Sequence, residues 1–231
     1  VKKYKHILFD LDHTLWDFEK NSTEALLEVY EHYQLNRHDK FSAIEFVLKF
    51  KEINASLWDQ YNLNKIPKEY LRNERFKLTL VDLGIQEGDV PLDIGEMYIK
   101  KCPLKGHVIP HSFEVLDYLK PKYQLHIITN GFDDIQDIKL SHSKLKNYFD
   151  FIFTSESAGH KKPSKEMFKK AIELLNAKTE ECIMIGDNPV TDIQGAINAS
   201  LDVIYFNPEK IPHNLPVTYE IRSLLELIKI L

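Results

Sequence analysis

His6-Ile7-Leu8-Phe9-Asp10-Leu11-Asp12-His13-Thr14-Leu15 sets a short unbroken apolar run against two aspartates spaced one residue apart. An apolar run without polar alternation suits a strand buried on both faces of a parallel sheet. The carboxylates then fall where that strand ends. Leu125-His126-Ile127-Ile128-Thr129-Asn130-Gly131 and Cys182-Ile183-Met184-Ile185-Gly186-Asp187 repeat the pattern, each closing on polar residues and a turn. Phe151-Ile152-Phe153-Thr154 and Val203-Ile204-Tyr205-Phe206 supply two further strands. Helical patterns separate them over 112–119, 133–145, 165–176 and 191–199. Strand and helix alternating from residue 107 onward predict an α/β fold, a doubly wound, Rossmann-like parallel sheet.

The stretch between the first strand and residue 103 reads differently. Ala25, Leu26, Val29, Tyr30 and Tyr33 recur at helical spacing, and so do Phe46, Phe50, Ile53 and Leu57, continuing toward Tyr61. Pro67 and Gly84 bracket a third helix, and a fourth is expected over 92–101. Pro103, Gly106 and Pro110 mark the return to the α/β pattern. The expected organisation is an all-helical domain, 16–103, inserted into an α/β core made of 1–15 and 104–231.

Composition narrows the function classes. A net charge of -5 gives no electrostatic footprint for a nucleic-acid polymer. The two cysteines, Cys102 and Cys182, form no metal-binding spacing, and Cys182 sits in an apolar run that suits a buried thiol. The basic start Val1-Lys2-Lys3-Tyr4 leads only into Ile7-Leu8-Phe9, too short for the apolar part of a signal peptide. No run approaches the ~18 apolar residues that span a bilayer. The expected setting is therefore cytoplasmic, with no membrane partner.

Ligands of open parallel sheets bind at the C-terminal ends of the strands. Asp10 and Asp12 follow the first strand, Thr129-Asn130-Gly131 another, and Gly186-Asp187-Asn188-Pro189-Val190-Thr191-Asp192 a third. Lys162 stands before Pro163, after the loop Ser157-Ala158-Gly159-His160. Several acids at one edge repel unless a cation sits among them. A hard divalent ion with oxygen ligands fits, and Mg²⁺ is the natural choice beside phosphate. Alone, an Asp-x-Asp pair is a turn or a cap, Thr-Asn-Gly and Gly-Asp-Asn-Pro are turns, and Lys-Lys-Pro is solvated surface. Their order and their shared place at strand ends favour a site.

Asp10-Leu11-Asp12-His13-Thr14-Leu15, Thr129-Asn130-Gly131, Lys162-Pro163 and Gly186-Asp187 through Asp192 resemble the four ordered motifs of the haloacid dehalogenase-like (HAD) hydrolase superfamily. The helical insertion after the first motif is similar to the cap of its alpha-helical-cap (C1) subgroup. Ile128-Thr129-Asn130-Gly131-Phe132 and the stretch from Leu57-Trp58 through Arg72-Asn73-Glu74-Arg75-Phe76 look most like its house-cleaning nucleoside 5′-monophosphatase branch.

That resemblance implies Asp10 as a nucleophile forming a phosphoryl-aspartate and Asp12 as general acid and base. It implies Mg²⁺ held by Asp10, Asp187 and the backbone carbonyl of Asp12, with Asp192 binding a metal water or orienting Lys162. Thr129 and Lys162, with the backbone of Asn130 and Gly131, would hold phosphoryl oxygens. The implied partner is a small phosphorylated metabolite, a nucleotide by the branch resemblance. His13 occupies a position often glycine in the superfamily. Phe18, Trp58 and Arg75 are candidates for substrate choice, against a reading of Trp58 and Tyr61 as core and of Arg72 and Arg75 as a solvated face. An acid at Asp12 favours phosphoryl transfer over dehalogenation, and no cap lysine (Lys20, Lys49, Lys51) stands out for a phosphonate hydrolase. A sugar-phosphate or phosphoglycolate phosphatase, a phosphomutase and a non-catalytic regulator remain the alternatives.

Overall fold

β1 (His6–Phe9) is buried along its whole length, as an apolar run with no polar face requires. The structure is a computed structural model in which residues 3–231 are described; Val1 and Lys2 of the basic start lie outside them. β2 (Gln124–Thr129), β3 (Phe151–Thr154), β4 (Cys182–Gly186), β5 (Asp202–Phe206) and β6 (Tyr219–Ile221) join it in one sheet, every pairing parallel, in the order β3-β2-β1-β4-β5-β6. The order reverses beside β1, the switch point where doubly wound sheets bind ligands. Phe9 is level with Ile127 of β2 and Ile185 of β4, so the segments following β1, β2 and β4 leave the sheet side by side.

The chain divides into two compact units, 1–18 with 106–231, and 19–105. Both junctions lie slightly downstream of the expected 15/16 and 103/104. Backbone pairing is the reason: Asp17 N–H donates to His107 O at 3.1 Å, Ile109 N–H to Leu15 O at 2.9 Å, and Trp16 bridges Val108. Trp16 and Asp17 are thereby stitched to the α/β unit.

The helical unit is built on α1 (Phe18–His32, which begins at the junction), α2 (Ala43–Asn62), α3 (Lys68–Asp82) and α4 (Ile94–Lys101). α2 starts at Ser42, whose hydroxyl accepts from Glu45 N–H while Glu45 accepts from Ser42 N–H, a reciprocal cap. Phe50, Phe76 and Tyr98 fill the unit's interior, with ring centroids 4.6–5.4 Å apart.

In the α/β unit, α5 (Ser112–Leu119), α6 (Asp133–His142), α7 (Ser155–Ala158), α8 (Lys165–Leu174), α9 (Gly195–Asn198) and α10 (Leu227–Ile230) flank the sheet. Met167, Phe168, Ile193 and Ala196 pack with Leu8, Ile128, Met184 and Val203 of the strands. The helix expected over 191–199 is split, a wide π-helical segment Pro189–Gln194 preceding α9. β6 was not expected: it is three residues long, and Tyr219 and Glu220 are exposed, too brief and too wet to carry a pattern. Among the described residues no helix is long and apolar enough to cross a membrane.

Candidate active site

The Asp10 N–H donates to Ile185 O at 2.9 Å, extending the β1–β4 ladder by one residue and fixing Asp10 at the sheet edge. The chain then turns sharply, with Leu15 and Trp16 N–H both bonded to Leu11 O. His13 lies inside this turn at φ 66°, in the left-handed region that glycine adopts most readily and histidine tolerates better than most residues. Its ring packs on Phe18, centroids 4.9 Å apart.

Lys162 is 2% exposed. Its Nζ donates to Asp10 Oδ1 at 2.5 Å, Asp192 Oδ1 at 2.7 Å and Ile128 O at 2.9 Å, using all three ammonium protons. Asn130 fixes the lysine's backbone from both sides, its Oδ1 accepting from Lys162 N–H and its Nδ2 donating to Lys162 O, each at 2.8 Å. The expectation gave Asn130 to phosphate through its backbone. Its side chain, besides, braces Lys162, and the Gly131 N–H donates to Thr129 Oγ1 at 3.0 Å.

Asp192 reaches the edge because the Pro189–Gln194 segment folds back beneath β4. Asn188 Oδ1 accepts from Val190 and Thr191 N–H at 2.9 Å, and Asn188 N–H donates to Asp192 Oδ2 at 3.0 Å. The carboxylate lies so close to Gly186 that a Cβ there would stand 2.5 Å from Asp192 Oδ2. Asp187 is held by Thr14, whose hydroxyl donates to its Oδ1 at 2.7 Å.

One carboxylate oxygen each from Asp10, Asp187 and Asp192 lie within 4.8 Å of one another. Three carboxylates, Asp10 and Asp192 buried and Asp187 half-buried, face one ammonium, and the proton affinities of Asp10 and Asp187 register the imbalance. Burial pushes the Asp10 carboxyl well up; Lys162 opposes this, and Asp192 and Asp187 add to it. Burial and then Asp192 push Asp187 up to about 6. A cluster this reluctant to carry its full charge, offering only hard oxygen donors, fits a hard divalent cation.

Asp12 points elsewhere. Its Oδ1 accepts from Lys139 Nζ at 2.6 Å and its Oδ2 from Gln136 Nε2 at 3.0 Å. Burial raises its proton affinity, but Lys139 and Gln136 outweigh that and hold the carboxyl below its ordinary value. The same Gln136 Nε2 donates to Thr129 Oγ1 at 2.8 Å. Gln136, Lys139 and Thr14 are absent from the sequence expectations. No sequence signal marks them: α6 buries Gln136 and Lys139 beside Leu140 while Ile138 is exposed, an inversion of the amphipathic rule that only the folded helix shows.

Arg75 is buried in the helical unit, not on a solvated face: its guanidinium lies 4.7 Å from the Tyr98 ring centroid and hydrogen-bonds Asn54 at 3.3 Å. Trp58 is partly exposed and meets Tyr61 edge-on at 5.5 Å. Phe18 lies 5.9 Å from Lys139 Nζ.

Residues 4–200 match the haloacid dehalogenase-like hydrolase family. The pyrimidine 5′-nucleotidase PynA of Streptococcus pneumoniae is 32% identical over 97% of this chain and 94% of its own. The pyrimidine 5′-nucleotidase YjjG of Escherichia coli is 29% identical over 99% and 98%. The magnesium-bound crystal structure of YfnB from Bacillus subtilis superposes with a TM-score of 0.87 at 30% identity, covering 99% of both chains. A parallel sheet with four motifs at its C-terminal edge, matched along most of its length, makes this chain an enzyme of the haloacid dehalogenase-like hydrolase family.

Proposed function

We propose that this hydrolase is a Mg²⁺-dependent phosphomonoesterase working through an aspartyl-phosphate on Asp10, with nucleoside 5′-monophosphates as its substrates. The observation carrying the reading is Lys162, buried between Asp10 and Asp192 at the switch point of the sheet. A buried ammonium beside a buried carboxylate prepares a site for a ligand more anionic than the carboxylate itself.

Asp10, Asp187 and the backbone of Asp12 would hold the metal, with Asp192 beside them; bound there, Mg²⁺ screens Asp10 from the negative charge of the phosphate. Asp10 attacks phosphorus in line. Its O–P bond forms as the ester P–O bond breaks, and the leaving oxygen takes a proton from Asp12. Water then attacks phosphorus and gives its proton to Asp12, and the Asp10–phosphorus bond breaks to release phosphate. Thr129 and Lys162 hold the phosphoryl oxygens, Lys162 giving up one of its three present hydrogen bonds to do so. At rest Asp12 is the ionised partner of Lys139, the form that accepts a proton. An arriving phosphate dianion raises the proton affinity of a neighbouring carboxylate, which suits Asp12 to begin the cycle as an acid.

The nucleotide assignment is supported by the activity in the names of PynA and YjjG. Substrate choice is assigned to the helical unit, with Trp58 and Arg75, and to Phe18. The test is phosphate release from nucleoside monophosphates, sugar phosphates and phosphoglycolate, with Mg²⁺ or EDTA. Mg²⁺-dependent release fastest on nucleotides is expected, and Asp10→Asn abolishes it. Faster release from a sugar phosphate would overturn the substrate. Interconversion of sugar-phosphate isomers without release would make the chain a mutase.

A further inference from the structure

α6 presents two polar side chains to the interior where a helix of this kind ordinarily presents apolar ones. Gln136 is 0% and Lys139 6% exposed. Together they hold both oxygens of Asp12, Lys139 on Oδ1 at 2.6 Å and Gln136 on Oδ2 at 3.0 Å. Two contacts on two oxygens fix the rotation of the carboxylate plane, which one contact leaves free. Lys139 is itself confined, its Nζ 4.4 Å from the centroid of the Trp16 ring, a fully buried indole. Gln136 carries a second load, since its Nε2 also donates to Thr129 Oγ1 at 2.8 Å.

The other end of the Gln136 amide is the informative part. Gln136 Oε1 is buried with no hydrogen-bond partner among the described residues. An orphaned buried acceptor destabilises a fold, because it has left water without gaining a donor. Turning the amide over would not relieve it, because Oε1 would then face the Asp12 carboxylate. An apolar residue of similar volume would serve the fold at least as well. Gln136 therefore makes sense for what its Nε2 does, which is to tie Asp12 to Thr129.

We propose that Gln136 and Lys139 are positioning residues for the acid–base step: a clamp on α6 that holds the Asp12 carboxylate in fixed register with the phosphoryl-binding hydroxyl of Thr129. The proposal rests on the reading of Asp12 as the acid–base group. Misplacing a reacting group by about 1 Å can lower a rate 10²-fold. That loss should fall on esters whose leaving group needs a proton and spare those whose leaving group does not.

The test compares Gln136→Leu, Lys139→Met and Lys139→Arg with wild type and Asp12→Asn on an alkyl phosphate and on 4-nitrophenyl phosphate, in Mg²⁺. Gln136→Leu and Lys139→Met should lower kcat on the alkyl ester by about 10²-fold and on the nitrophenyl ester far less. Inhibition by inorganic phosphate should stay as in wild type. Lys139→Arg should recover most of the loss. In the Asp12→Asn background neither change should add a further loss. Gln136→Leu should melt no lower than wild type, which keeps the test intact if Lys139→Met fails to fold. Equal losses on both esters, or full additivity with Asp12→Asn, would overturn the clamp while leaving Asp12 its role. An Asp12→Asn variant indifferent to the leaving group would instead overturn the acid–base reading, and the clamp with it.

Discussion

Lys162 Nζ lies 2.5 Å from Asp10 Oδ1, a contact between residues 152 apart in the chain. It closes the site across the sheet, since Asp10 follows β1 and Lys162 hangs from the Asn130 side chain after β2. Neither charge is stable at that depth alone. Burial drives the carboxyl toward its neutral form and the ammonium likewise; Lys162 opposes this at Asp10, while Asp10 and Asp192 together hold the Lys162 ammonium charged.

Lys162→Met should therefore harm the fold as well as the activity. It leaves Asp10, Asp187 and Asp192 facing one another with no ammonium between them. Breaking a buried pair in this way destabilises by about 3–5 kcal/mol. In EDTA the variant should melt far below wild type, and Mg²⁺ should recover part of the difference by binding the folded state. A melting temperature equal to wild type in EDTA would mean that the lysine carries no structural load.

Asp187 gives a pH-dependent counterpart. Its carboxyl has an ordinary value of 3.8 and is pushed up to about 6 in the fold. A raised folded-state value means that the folded protein holds the proton more tightly than the unfolded chain does. Ionisation of Asp187 therefore weakens the metal-free fold progressively as pH rises from 3.8 through about 6, and fully above that. Asp187→Asn keeps an acceptor for Thr14 and removes the charge. In EDTA it should melt above wild type at pH 7–8, by about 1–3 kcal/mol, with the advantage fading below pH 4. Mg²⁺ should reverse the order, because the variant has lost a ligand. Parallel melting curves at every pH would refute the assignment.

Much of this site was legible in the sequence, for a physical reason. Strands buried on both faces must be continuously apolar, so the residues where Phe9 and Gly186 end their runs stand out. Chemistry concentrated at those ends was equally visible. What stayed hidden depended on the return of the chain. Asp192 meets Gly186 only because Pro189–Gln194 widens into a π-helical turn, and the spacing of 191–199 looks like plain helix. Gln136 and Lys139 fall inside the helical pattern 133–145, and nothing local marks which face a polar side chain takes. Arg75 sits in a charged stretch, Arg72-Asn73-Glu74-Arg75, that reads as solvated, yet it faces inward on α3 with Leu71, Phe76 and Thr79.

The two glycines at the edge should respond differently to alanine. A Cβ on Gly186 would lie 2.6 Å from the Cβ of Asp192, an atom that moves only with the backbone. A Cβ on Gly131 would lie 2.0 Å from Gln136 Nε2 and 2.8 Å from its Cγ, atoms of a buried side chain that can turn aside without moving the backbone. Gly186→Ala should lower stability by about 1–3 kcal/mol and turnover with it. Gly131→Ala should melt close to wild type while losing rate on poor leaving groups, because the displaced amide releases Asp12. Equal stability losses in the two variants would show that the edge yields at both places.

Arg75 allows stability and substrate choice to be separated. Its guanidinium is stacked among Phe50, Phe76 and Tyr98, its Nε is buried with no hydrogen-bond partner among the described residues, and its Nη1 donates to Asn54 Oδ1 at 3.3 Å. Burial works against its charge. Stacking on aromatic faces contributes about 0.5–2 kcal/mol, comparable to the cost of an orphaned donor at about 1–3 kcal/mol. Replacing a buried charge by an apolar side chain of similar length is often neutral or stabilising. Arg75→Met should accordingly melt at or above the wild-type temperature. If Arg75 serves substrate choice, the same variant should change the ratio of kcat/KM between nucleotides and sugar phosphates while leaving hydrolysis of 4-nitrophenyl phosphate intact. An unchanged ratio in a stable variant would remove Arg75 from substrate recognition, and a steep fall in melting temperature would make it a structural element of the helical unit.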